Sequence, residues 1–183
     1  MRVCFAREQG MLINLSDVLN TSAKEKRFEI SPELKSFDGS FGEIEILSSD
    51  TFVIDVKNVE KGKAKISGSV NMKFLTQCDR CLKDTEVDLN ITFERECAGP
   101  EYEVAEDDDL HEFMEGYQLD VDALLYNEIT VNWPVKILCR DDCKGLCLVC
   151  GHDLNVGDCG CDTFVPDPRM AALKDIFETT KEV

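Results

Sequence analysis

From Phe41 onward, apolar and polar residues alternate with a period of two, as expected of strands that bury one face. Ile44 and Ile46, then Phe52, Ile54 and Val56, share a face. The turn formers Ser48, Ser49 and Asp50 between them predict a hairpin. The longest alternation follows, with Ala64, Ile66, Val70, Met72 and Phe74 on one face and Lys63, Lys65, Ser67, Ser69, Asn71 and Lys73 on the other. Gly68 within it is expected to mark a bulge. Thr85 to Glu94 then sets Val87, Leu89, Ile91 and Phe93 against Glu86, Asp88, Asn90 and Thr92, so these two strands are expected to pair antiparallel with lysine facing acid.

Upstream, Met11 to Leu15 reads as a short strand, Ser16 or Asp17 as the cap of a helical turn over Val18 and Leu19, and Glu25 to Ile30 as another strand. The first ten residues read as an extension, which makes Cys4 incidental. Downstream the period lengthens. Val121, Leu124, Leu125 and Ile129 behind an Asp120 cap predict a helix that Pro134 ends. A last helix is signalled by Asp167 as cap, Pro168 at its first position and the stripe Ala172, Leu173, Ile176 and Phe177. Strands first and helices later give an α+β fold, a mostly antiparallel sheet with a covering helix and a C-terminal cysteine-rich zinc-binding module. Residues 11–135 are expected to form the sheet domain, with an acidic loop (100–118) and a helix (120–132). Residues 136–183 are expected to form the metal module and the C-terminal helix.

Length changes this picture little, since 183 residues hold one real core plus a satellite that needs its own staple. No apolar run is long enough to cross a bilayer, and Met1 to Gly10 lacks the apolar core of a secretion signal, so a cytoplasmic location is expected. Charge adds more. The net charge of -17 repels a phosphate backbone at long range. Yet Thr51 to Lys83 forms a basic island of Lys57, Lys61, Lys63, Lys65, Lys73, Arg80 and Lys83, and Glu101 to Glu128 holds eleven acids and no Lys or Arg.

Ten cysteines in a reducing compartment point to metal or redox chemistry rather than disulfides. Eight fall into close pairs: Cys78 and Cys81, Cys139 and Cys143, Cys147 and Cys150, Cys159 and Cys161. Short spacers let two thiolates converge on one ion, so four pairs predict two tetrahedral Zn2+ sites. Pairing Cys147 and Cys150 with Cys159 and Cys161 closes the shorter loop and leaves the other four for the second site. Redox dithiols and an iron–sulfur cluster are the competing readings. Cys143-x3-Cys147-x2-Cys150 has the spacing of a radical S-adenosylmethionine motif, but too little chain follows for that barrel. His152, beside Cys150, reads as a solvent-facing turn residue. There is no serine elbow, no phosphate-cradling glycine loop and no Cys–His pair, and the expectation is a protein that is not an enzyme.

Read together, several motifs resemble the YceD family, the large ribosomal RNA subunit accumulation proteins, over most of the chain. They are Cys78-Asp79-Arg80-Cys81-Leu82 after a strand, the acidic loop, the helix from Val121 to Val131 with Asn132-Trp133-Pro134, Cys143-Lys144-Gly145-Leu146-Cys147, Cys150-Gly151-His152-Asp153-Leu154-Asn155, Cys159-Gly160-Cys161 and Asp167-Pro168-Arg169. The resemblance implies a factor that supports accumulation of large-subunit (23S) ribosomal RNA and ribosome biogenesis, with zinc structural. Its expected partner is a large-subunit precursor, met through rRNA at Lys63, Lys65, Lys73, Arg80 and Lys83, or through a basic ribosomal protein gripped by Glu101 to Glu115. A zinc-dependent module with a nonribosomal partner and a redox or iron–sulfur protein are the alternatives.

Overall fold

The computed structural model describes residues 11–32, 34–39, 42–103 and 109–161. The N-terminal extension with Cys4, the Glu106–Asp108 part of the acidic run and the helix expected over Asp167, Pro168, Ala172, Leu173, Ile176 and Phe177 lie outside the described residues. The described chain falls into two compact units, one made of residues 11–76 and 84–137, the other of 77–83 and 138–161.

The elements, in order, are β1 (Leu12–Asn14), α1 (Ser16–Leu19), β2 (Glu25–Ile30), β3 (Ser36–Gly39), β4 (Gly42–Ser49), β5 (Phe52–Glu60), β6 (Lys63–Gln77), β7 (Asp84–Ala98), β8 (Met114–Glu115), β9 (Gln118–Asp120) and α2 (Val121–Asn132). The fold is sheet-dominated and antiparallel, as the alternation predicts. A small sheet is ordered β1-β9-β8, and a larger one β2-β5-β6-β4-β3, with β7 also paired to β6.

The hairpin expected between β4 and β5 is not there. Both strands pair antiparallel with β6: Glu45 faces Leu75 and Ser49 faces Met72, the Asp50 N–H donates to the Asn71 carbonyl, and Ile54 then faces Gly68. They therefore run head to tail along one length of β6, and Asp50 and Thr51 interrupt a strand instead of reversing it. At 15 residues β6 is far longer than the ordinary strand of about 5 to 6 residues. Its ladder carries enough N–H and C=O groups to need both partners. The pattern repeats one row out, where β2 pairs with β5 and β3 with β4.

Lys63, Lys65, Ser69 and Lys73 of β6 meet Glu96, Glu94, Thr92 and Asp88 of β7, a descending series that makes this hairpin antiparallel. Ala64, Ile66, Val70, Met72 and Phe74 all face inward with Ile54, Val56, Ile91 and Phe93, and α2 adds Leu124, Leu125 and Ile129 to the same core. On its β5 side Gly68 lies in regular register. The lost side chain makes room for an aromatic ring, since a Cβ there would stand 2.8 Å from Cζ of Phe93.

Helical ends follow their sequence signals unevenly. Asp120 caps α2 by accepting from the Ala123 N–H at 2.9 Å, and Trp133 turns extended ahead of Pro134. Trp133 then packs edge-on against Phe74. The turn α1 is capped by neither Ser16 nor Asp17; Asn14 Oδ1 accepts from the Ser16 N–H at 2.9 Å, while Asp17 is paired with Lys24.

Candidate metal centres

The second unit has almost no apolar core: Cys78, Cys81 and Cys143 are buried with Leu138 and Leu146 beside them. Something other than hydrophobic burial must hold it. The segment 77–83 is a tight knuckle in which Cys78 N–H donates to Lys83 O and Leu82 N–H to Cys78 O. Residues 143–155 form a second, larger reversal through the Leu146–Asp153 bridge, with Cys147 N–H donating to His152 O and Gly151 N–H to Cys147 O. The two are laced together because Leu146 N–H donates to Arg80 O and Arg80 Nη1 donates to Cys143 O. Gly145, at φ +80, permits this approach: a Cβ would stand 2.9 Å from Arg80 O.

These contacts bring the eight cysteines into two fours, Cys78, Cys81, Cys139 and Cys143, and Cys147, Cys150, Cys159 and Cys161. Within each four, every sulfur lies within 4.8 Å of the others. Cys78 and Cys143 sulfurs are 3.8 Å apart and those of Cys81 and Cys139 3.6 Å. That is far beyond a disulfide at about 2.05 Å. It fits the edge of about 3.8 Å of a tetrahedron with metal–sulfur bonds of about 2.3 Å. Among the described residues neither group includes a histidine, and His152 is exposed.

Electrostatics supports a cation in each cage. Burial pushes the Cys78 thiol up, but the backbone N–H groups of Cys139, Arg80 and Cys81 together bring it down to about 6. Across the same cage Cys139 is pushed up to about 12, first by its contact with Cys81 and then by burial. The second cage repeats the split: N–H groups of Cys150 and Val149 lower Cys147 to about 6, while contact with Cys150 pushes Cys161 up to about 12. Four adjacent thiols cannot all ionise unaided, and a dication removes that conflict. The N–H groups two and three residues after Cys78 and Cys147 contact these sulfurs and would serve as outer support for the ligands of a bound ion.

The two cages differ in exposure. Cys78, Cys81 and Cys143 are buried in the first, whereas in the second only Cys147 is buried, Cys150 is exposed and Cys159 and Cys161 are half-buried. In the first cage only Cys139 is exposed, and it opens on a cavity of about 250 Å3 shared with Lys83, Arg140, Asn155 and Val156.

The residues expected to meet RNA are all engaged. Lys63, Lys65 and Lys73 pair with Glu96, Glu94 and Asp88 at 2.7, 2.6 and 3.2 Å, Lys83 pairs with Asp153 at 2.6 Å, and Arg80 is bound to the Cys143 carbonyl. Two residues were not singled out by sequence reasoning. Asn155 donates from Nδ2 toward the Cys143 sulfur at 3.5 Å, and Asp153 holds both Asn155 and Lys83. Their signal is a pair of turn-forming polar residues, two apart, between two cysteine pairs in a segment without a core.

A unit of antiparallel sheet together with a small unit whose eight thiols can hold two metal ions defines a class of cysteine-rich sheet proteins with two candidate metal cages. The chain belongs to the family described as large ribosomal RNA subunit accumulation protein YceD, whose model matches residues 66–177, more than half of the chain and all eight cage cysteines. Its relatives include an uncharacterised protein of Mycobacterium leprae, 28% identical over 61% of this chain and 52% of the relative. Uncharacterised proteins of Mycobacterium bovis and Mycobacterium tuberculosis are 25% identical over 93% of this chain and 77% of theirs. The chain thus spans about half the length of the first of these and about three quarters of the others. No solved structure matches it significantly. No helix among the described residues is long and apolar enough to cross a membrane.

Proposed function

We propose that this protein is a non-enzymatic factor that supports accumulation of large-subunit ribosomal RNA in the cytoplasm, and that its second unit is a structural module built on two zinc ions. The family match over residues 66–177 carries the first part. The two tetrahedral sulfur cages carry the second. All-thiolate donors at tetrahedral spacing suit zinc, whereas a polynuclear iron–sulfur cluster stands several atoms between its thiolates and needs a wider cage.

The ion pairs on β6 favour contact with the precursor particle through a basic ribosomal protein over direct contact with RNA. A lysine already matched by a carboxylate has fewer counterions to release from a phosphate chain, and the net charge of -17 favours a basic partner. Depleting the protein from its host should lower 23S relative to 16S rRNA, and untagged protein should co-sediment with large-subunit precursors. An unchanged rRNA ratio together with absence from those fractions would sink the proposal. Lys65→Ala with Lys73→Ala should leave co-sedimentation within about twofold; a loss of tenfold or more returns the β6 face to RNA. Elemental analysis should find two zinc per chain, and iron would overturn the metal assignment.

A further inference from the structure

The segment between Cys150 and Cys159 is closed at both ends by the second cage, yet its polar side chains serve the first. Asn155 Nδ2 points at the Cys143 sulfur at 3.5 Å. Its Oδ1 accepts from the Lys144 N–H and from Arg140 Nη2, both at 2.8 Å, fixing the residues on either side of Cys143. Asn155 is itself held by Asp153, whose Oδ1 accepts from the Asn155 N–H at 2.9 Å and from its Nδ2 at 2.7 Å. The other oxygen of Asp153 grips Lys83, two residues beyond Cys81, at 2.6 Å. Leu154 N–H adds a bond to Gly145 O. One short stretch therefore touches both chain segments that supply the first cage.

We infer that Asn155, positioned by Asp153, couples the two metal centres, so that filling either one raises the affinity of the other. The inference rests on the zinc reading above. A metal in the second cage ties Cys150 to Cys159 and removes most of the freedom of the loop that carries Asn155. The Asn155 donor then meets the Cys143 thiolate without a further ordering cost. A hydrogen bond to a charged sulfur is among the stronger ones a protein makes. Binding linkage is reciprocal, so a metal in the first cage fixes Cys143, Lys144 and Arg140 and presents Asn155 with its partners in turn. Asn155 is a positioning residue here: it acts on the metal through Cys143.

Titrating zinc into reduced, metal-free full-length protein and counting bound ions by native mass spectrometry tests this. The native sequence should pass from no zinc to two with little one-zinc species. Asn155→Asp keeps the oxygen that Lys144 and Arg140 use but loses the N–H donor. It should let the one-zinc species accumulate and weaken the tighter step by about tenfold, within the usual range of coupling between sites. Asn155→Ala should do the same more strongly. Cobalt in place of zinc gives a second readout, because tetrathiolate absorption should grow with a sigmoidal dependence in the native sequence and a hyperbolic one in Asn155→Asp. Two zinc ions bound independently by the native sequence, or an unchanged distribution in both variants, overturns the coupling while leaving the two-zinc module standing. Uptake of fewer than two zinc ions overturns both.

Discussion

The two units of this chain solve the same problem with opposite means. The sheet unit buries a continuous apolar set, from Ile13 through Phe74 and Phe93 to Ile129, and its polar groups form ladders and cross-strand ion pairs around that core. The cysteine unit buries four thiols and little else, and its backbone N–H groups are directed at sulfur. The first folds because water rejects its side chains. The second needs a ligand to supply its folding free energy.

The largest expected effect separates the two directly. A strong chelator under reducing conditions should strip amide protection from residues 77–83 and 138–161, because on the zinc assignment proposed above each structural ion would supply roughly 10 to 16 kcal/mol. Protection in β4 to β7 should survive, as read by hydrogen exchange with mass spectrometry. Simultaneous loss in the strands would mean that the two units unfold as one. The converse perturbation is Phe74→Ala, which opens a cavity under Trp133. It should cost about 3 to 5 kcal/mol in denaturant unfolding of the sheet unit and leave zinc content at its native value.

Smaller changes sharpen the contrast within the sheet unit. Asp120→Ala removes the cap of α2 and should cost about 1 kcal/mol, with exchange quickening first at the N–H of Ala123. The last effect is confined to high pH and belongs to Cys97, the one described cysteine outside the cages, whose thiol burial pushes up to about 12 from an ordinary 9.0. The unfolded chain loses this proton first, so stability is intact below about pH 9 and falls as pH rises toward 12. Cys97→Ala should remove up to about 1.4 kcal/mol of that loss per pH unit, measured as the difference in unfolding free energy between pH 8 and pH 10. An equal slope in the variant would assign the loss to other groups.

How much of this was legible depends on whether the signal was local. The strict alternation at Ala64, Ile66, Val70, Met72 and Phe74 gave a strand because burial on one face is a property of the segment itself. Asp120 and Pro134 bounded α2 for the same reason. The eight cysteines were legible through their spacing, which reflects the reach of a short chain around one point. Ser48, Ser49 and Asp50 misled, since polar residues suit a reversal and a strand interruption equally. Only the length of β6 decides between them, and that is a fact about a different segment. The ion pairs of Lys65 with Glu94 and Lys73 with Asp88 were legible too, since the matched alternation of the two long strands sets lysine opposite acid. Asn155 was invisible because its partner sulfur is set by the bridge between Leu146 and Asp153.

The division of the first cage between distant parts of the chain also governs its birth. Cys81 and Cys139 are separated by 58 positions and Cys78 and Cys143 by 65. At a synthesis rate of about 5 to 20 residues per second, roughly 3 to 13 s pass between the appearance of the first knuckle and that of its complement. During that interval two thiols stand on a nascent chain with a half-built site, while the strands that flank them can already zip. The remaining six cage cysteines then emerge within a single stretch of 23 residues, from Cys139 to Cys161. Completion of the first cage is thereby deferred until that stretch has been made, and a ribosome that stalls before Cys139 leaves a product with a finished hairpin and an unarmed tip.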